Sequence, residues 1–122
     1  MSRALLHHAC DGYATPELAG FLVAVCAGGD VVMLRDSGAG DGSQARAFFH
    51  EEYRLNHLLF TYPKPVAAFM DGITMGGGVG ISQPAKYRVA TEHTRFAMPE
   101  TGIGLFPDVG GGWYLPRLPG RT

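Results

Sequence analysis

Between Ser43 and Tyr62 the apolar residues Ala45, Phe48, Leu55, Leu59 and Tyr62 fall on one side of a wheel with a period of 3.6 residues. The spacing predicts a helix over 43–62. It stops at "YPKP", where Pro63 and Pro65 cannot continue it. One position breaks the stripe, because Glu52 stands where an apolar residue is due. On periodicity alone its head belongs at the helix edge in solvent, and the alternative is the wall of a cavity.

The other patterns are shorter. "LAGFLVAV" reads equally as a buried strand or a helix. "CAGGDVVMLRD" predicts a turn into a short helix with Asp30 as N-cap, and "DSGAGDGS" a loop. "VAAFMDG" predicts a buried strand closing on a turn at Asp71-Gly72. "ITMGGGVGISQPA" sets three glycines before a short helix that ends near Pro84. "KYRVATE" and "RFAMPE" read as strands, and "DVGGGWYLPRL" as a loop leading into a short helix. Strands alternating with helices indicate an α/β domain with crossover connections; no internal repeat is visible.

Composition narrows the classes. A chain of 122 residues holds one domain, and a formal charge of −1 gives no electrostatic case for nucleic acid or an anionic membrane. No apolar run approaches the ~20 residues of a membrane span. The start, "MSRALLHHACDGY", lacks the apolar core of a secretory signal, so a cytosolic-type compartment is expected. Cys10 and Cys26 form no CxxC and read as free thiols. The anomaly is glycine: the 18 glycines include clusters at 28–29, 38–42, 76–80, 102–104 and 110–112. Such clusters mark tight turns or places where a ligand meets the main chain.

Two glycine clusters, "CAGGD" and "MGGG", each precede a predicted helix, whose N-terminal N–H groups are unsatisfied. Two such N–H groups converging from different segments would form an oxyanion hole, in which one donor typically contributes ~3–4 kcal/mol to transition-state stabilisation. The GxxxxGK[ST] lysine is missing and no intact GxGxxG opens a helix after a strand, so neither nucleotide loop is supported. His50 and His57 lie two turns apart with no HExxH, which is no metal site; "GISQP" lacks the last Gly of a nucleophile elbow. The stretch "FAMPETGIGLFPDVGGGW" places Glu100 and Asp108 among apolar residues and glycines, making both candidates for base or nucleophile. Glu100 ends a predicted strand, where functional side chains of α/β folds commonly project, but read locally Asp108 is equally an N-cap for the helix after it and Glu100 a surface residue after Pro99.

The ordered set "CAGGD", "GITMGGGVGIS" and "RFAMPETGIGLFPDVGGGWYLPRLPG" resembles the crotonase (enoyl-CoA hydratase/isomerase) superfamily. With "EEYRLNHLL" it is most similar to the 3-hydroxyisobutyryl-CoA hydrolase branch. The resemblance implies a fold of repeated ββα superhelical turns and hydrolysis of a short 3-hydroxyacyl-CoA thioester in valine breakdown. Coenzyme A would be part of the substrate, with no separate cofactor and no metal. It assigns the oxyanion hole to Gly29 and Gly77, attack or water activation to Glu100, assistance and contact with the acyl hydroxyl to Asp108, and a place in the substrate pocket to Glu52. Hydratases of the superfamily generally carry a second glutamate two residues beyond the glycine triplet; Gly80 stands there, which disfavours hydration. The other partner expected is a second copy of the chain, since the family is often trimeric; nucleic acid and membrane are not expected.

Against that family, residues 1–25 are an atypical N-terminal segment, with Val25 where the family has Phe before Cys26. Residues 26–122 are then an incomplete core lacking the N-terminal strands and C-terminal helices, so a fragment is expected. The alternatives are an enoyl-CoA hydratase or isomerase, or an inactive fragment that binds coenzyme A esters. The compartment implied is the cytoplasm for a bacterial chain and the mitochondrial matrix for a eukaryotic one.

Overall fold

A computed structural model describes residues 21–23 and 26–119. Cys10 and most of the atypical segment 1–25 lie outside the described residues. Within "LAGFLVAV" the strand alternative holds for Phe21–Val23, here β1. Asp30 caps the helix that follows, α1 (Val31–Ala39), its Oδ1 accepting from the Val32 and Met33 N–H groups at 3.0 Å each. Helix α2 spans Ser43–Thr61 and ends one residue short of the expected limit.

The loop expected over "DSGAGDGS" shrinks to residues 40–42, because α1 continues through Ala39. Ser37 is what extends it. Its carbonyl accepts from the N–H groups of Gly40 and Gly42, and its buried hydroxyl accepts from Ala45 N–H at 2.9 Å. That arrangement ties the end of one helix to the start of the next.

The strands are β2 (Ala67–Met70), β3 (Ile73–Met75), β4 (Tyr87–Ala90) and β5 (Arg95–Ala97). All pairings are parallel, in two sheets ordered β1-β2-β4 and β3-β5, and an isolated parallel bridge joins Cys26 to Thr74 beside β3. Each turn of chain thus lays one strand in each sheet: β1 then Cys26, β2 then β3, β4 then β5. This spiral is a structural repeat that the residue pattern hides.

The corners of successive turns are joined. Asp71, at the β2–β3 corner, accepts from the Thr91 hydroxyl at 2.6 Å and faces His93 Nδ1 at 2.9 Å across the β4–β5 corner. The hydroxyl of Thr94 donates to the Met70 carbonyl at 2.5 Å. Helix α3 (Gly77–Ser82) links β3 to β4. Its buried Val79 has no exposure at all, while Val66, Ala68 and Ala85 form the core cluster against Leu59 of α2 and Ile81 of α3. Beyond β5 come a 3₁₀ turn (Glu100–Ile103), helix α4 (Gly111–Tyr114) and a second 3₁₀ turn (Leu115–Arg117).

Candidate active site

The two glycine segments meet. A Cβ on Gly28, which has φ +101°, would lie 3.4 Å from the Gly77 nitrogen, and one on Gly78 would overlap the Cys26 carbonyl. Main chain therefore packs on main chain, which side chains at these positions would prevent. Gly77 is the first residue of α3, so its N–H has no intrahelical acceptor. Among the described residues neither that N–H nor the one of Gly29 donates a hydrogen bond. Gly29 also lies against the Phe48 ring of α2 so closely that a Cβ there would collide with it.

Three carboxylates surround this junction. Glu100 is 8% exposed, and among the described residues neither of its carboxylate oxygens has a hydrogen-bond partner. Its Oε1 would stand 3.1 Å from a Cβ on Gly76, where φ is +52°. Glu100 lies in the first turn of the 3₁₀ segment, three residues beyond the last residue of β5, and not at the end of the strand expected over "RFAMPE". The surface reading is corrected: Met98 and Pro99 carry the chain inward before the acid.

Glu52 arrives from α2. Its Oε1 would stand 2.6 Å from a Cβ on Gly77, so the missing side chain at 77 is what makes room for the acid. The helix-edge reading of Glu52 is therefore corrected, since the head turns toward α3. Burial first, then the charges of Asp108 and Glu100, push its pKa from 4.5 up to about 7.

Asp108 is half-buried, and its Oδ2 accepts a 2.5 Å hydrogen bond from the Tyr53 hydroxyl. Burial and that bond hold the Tyr53 phenol well above its ordinary range. Asp108 does not cap α4 with its side chain. The N-cap is Gly110, at φ +84°, and only the Asp108 carbonyl reaches Gly111 N–H, at 2.8 Å. Beyond Asp108 a cleft of about 590 Å³ opens between α2 and the 106–114 segment, lined by Tyr53, Asn56, His57, Phe60, Phe106 and Trp113 among others. Among the described residues no three His, Cys, Asp or Glu side chains are grouped to hold a metal ion.

The pattern that defines the enoyl-CoA hydratase/isomerase family matches residues 20–122. The chain belongs to that family. Among curated members it is 60% identical over 98 residues to 3-hydroxyisobutyryl-CoA hydrolase, mitochondrial, of Xenopus tropicalis, covering 80% of this chain and 26% of that protein. It is 55% identical over 102 residues to small ribosomal subunit protein mS47 of Neurospora crassa, covering 81% and 20% respectively. The chain thus spans about a quarter of the length of the hydrolase it matches. Among solved structures, a carnitinyl-CoA dehydratase from Mycobacterium thermoresistibile superposes with a TM-score of 0.74 at 54% identity, covering 79% of this chain and 28% of that one. The expected fold, a partial crotonase-type α/β architecture, is the one observed.

Within this family member the five residues singled out from sequence occupy one region: Gly29 and Gly77 at the loop junction, with Glu52, Glu100 and Asp108 around it. Four participants were missed. Gly76 makes room for Glu100, and Tyr53 holds Asp108, although its place beside Glu52 in "EEYRLN" was a signal. Asn56 lines the cleft. Val109 has φ +44°, unusual for a β-branched residue, and fills the space a side chain on Gly80 would need. No local pattern announces that conformation.

Proposed function

We propose that the chain carries the catalytic core of a thioesterase that hydrolyses a short 3-hydroxyacyl-CoA, with 3-hydroxyisobutyryl-CoA as the substrate and valine breakdown as the setting. One observation carries this reading: among the described residues Glu100 is a buried carboxylate without a partner, set beside Gly76, and the N–H of the next residue, Gly77, is also without one. A carboxylate so placed is positioned to act as base or nucleophile, and a free N–H is a ready donor to a developing oxyanion.

In the reaction the thioester carbonyl oxygen accepts from Gly77 and Gly29 N–H. Glu100 either adds to the carbonyl carbon or takes a proton from the water that does so. Collapse of the tetrahedral intermediate breaks the C–S bond and releases the coenzyme A thiolate, which is then protonated. If Glu100 has added, water cleaves the resulting anhydride and restores the carboxylate. Asp108, fixed by Tyr53, stands where the acyl group enters the cleft. Glu52, whose pKa burial and the neighbouring carboxylates raise to about 7, carries less negative charge near neutral pH than an ordinary glutamate does. The relatives named as mitochondrial hydrolases support the substrate class, and a eukaryotic chain would share that compartment while a bacterial one would act in the cytoplasm.

Hydration is the weaker reading, because Val109 occupies the space in which a second acid at position 80 would stand. A non-catalytic reading draws on the similarity to a ribosomal subunit protein. The test is release of free thiol from 3-hydroxyisobutyryl-CoA by the purified chain. Turnover that disappears in Glu100→Gln is expected; thiol release that survives this substitution would refute the assignment of Glu100. Absence of release by the unaltered chain, with a ligand-dependent rise in melting temperature, would favour the non-catalytic reading.

A further inference from the structure

Two proton transfers in this reaction have no group assigned to them. The departing sulfur must gain a proton, and the water that cleaves the anhydride must lose one. Glu100 cannot supply either once it is bonded to the acyl carbon. The Asp108 carboxylate and the Tyr53 hydroxyl are engaged with each other at 2.5 Å, and burial holds the Tyr53 phenol far above neutrality. His50 and His57 are exposed and stand two positions before and five after Glu52, which turns them to the other side of α2.

Glu52 is left, and its placement suits the task. It follows Phe48 by one turn of α2. The Phe48 ring lies against Gly29 and the Glu52 carboxyl against Gly77, so the helix runs along both oxyanion donors. Among the described residues that carboxyl takes part in no hydrogen bond. It is half-buried, so solvent still exchanges its proton.

We infer that Glu52 is a further catalytic residue, one carboxyl that serves first as general acid toward the leaving sulfur and then as general base toward the hydrolytic water. The inference rests on the thioesterase reading and deepens it by selecting the covalent route through Glu100. In the first half, Glu100 bonds to the acyl carbon, the C–S bond breaks with its electron pair on sulfur, and the sulfur takes the Glu52 proton. That leaves the coenzyme A thiol, a neutral anhydride at Glu100 and an ionised Glu52. In the second half, Glu52 takes a proton from water as the water oxygen bonds to the acyl carbon. The C–O bond to Glu100 breaks, its electron pair returns to that carboxylate, and the free hydroxy acid leaves. Burial and then the charges of Asp108 and Glu100 hold the proton on Glu52 in the resting chain. Bonding of Glu100 to the acyl carbon removes one of those charges, which weakens the hold as the proton has to leave.

The test mixes the full chain rapidly with 3-hydroxyisobutyryl-CoA and follows both thiol release and the mass of the acid-quenched chain. A thiol of pKa ~8.5 leaves with little help, so the larger loss falls on the second half. Glu52→Gln is expected to release about one thiol per chain quickly and then to turn over about 10²-fold or more slowly, with the acyl group retained on the chain. In Glu52→Ala, added formate restores turnover in proportion to its concentration, which a merely structural role would not allow. That variant carries the test if thermal melting shows Glu52→Gln unfolded. Turnover by Glu52→Gln as fast as that of the unaltered chain overturns the inference. So does loss of turnover in both variants with neither acylated chain nor formate rescue. Thiol release by the unaltered chain, absent in Glu100→Gln, would then still uphold the thioesterase reading. No thiol release by the unaltered chain would remove that reading and this inference with it.

Discussion

Glu52 is half-buried within reach of two other carboxylates, and its protonation links the site to folding. Its folded pKa, about 7, lies above the ordinary value of 4.5, so the folded chain holds the proton more tightly. The sign follows: the stabilisation from a neutral Glu52 is fully present below pH 4.5 and is lost as pH rises through about 7. Glu52→Gln keeps the shape and never ionises. Its melting temperature relative to the unaltered chain is therefore expected to improve between about pH 4.5 and pH 8, by a few °C at most because solvent still screens the group. A pH-independent difference in calorimetric melting would show that the carboxylate is not held neutral. The acid's presence on an apolar stripe was legible in the sequence. Its direction was not, because it depends on the lack of a side chain at Gly77, 25 positions away and on a different element.

At the level of elements, α2 and the glycine-led α3 differ in what specifies them. α2 was legible to within a residue because its half-buried positions, including 45, 48, 52, 55 and 59, follow the helical period. The two-sheet spiral was not, although each turn repeats it. β2 alternates buried and half-buried residues, whereas all four residues of β4 are exposed, so equivalent strands have no common pattern. Even less could spacing show that Gly78 of α3 leaves room for the Cys26 carbonyl. In an exposed helix interior, Gly→Ala gains up to about 1 kcal/mol from propensity. Gly78→Ala would instead drive its Cβ into the Cys26 carbonyl, which is main chain and cannot swing away. A loss of about 1–3 kcal/mol in urea unfolding is expected for it. Gly102→Ala has no atom within 4 Å of the new Cβ and serves as the control, within about 0.5 kcal/mol of the unaltered chain. Equal midpoints for the two variants would mean that the loop junction is loose in solution and that the oxyanion donors are not pre-organised.

For the molecule as a whole, the balance between buried and exposed apolar surface sets its behaviour. The fully buried hydrophobic residues among those described are mostly small or medium-sized, whereas Phe60, Ile103, Phe106 and Trp113 are each more than half exposed. Three rings of this region already touch: Phe60 lies 6.2 Å from Trp113 and 6.3 Å from Tyr114, and Trp113 is 5.4 Å from Tyr114, all edge to face. Arg117 covers part of Trp113, its guanidinium 4.5 Å from the ring centroid. The rest of the cluster faces outward, continuous with the cleft through Phe60, Phe106 and Trp113. Apolar surface of that kind is uncommon on monomers and drives association, with little opposing charge at a net of −1. Sedimentation velocity of the full chain is accordingly expected to show weight-average mass rising with concentration. Sulfate should strengthen the effect, because excluded salts favour apolar burial. Phe106→Asp, at the residue that is 80% exposed, should shift the population toward monomer without altering the melting temperature. A monomer at every concentration, in sulfate as well, would show that the aromatic face is satisfied by solvent alone. If Phe106→Asp dissociates the chain but leaves thiol release from the acyl-CoA intact, then association and acyl binding use different parts of the same aromatic wall. If it removes both, the outer rim at Phe106 belongs to the binding site as well.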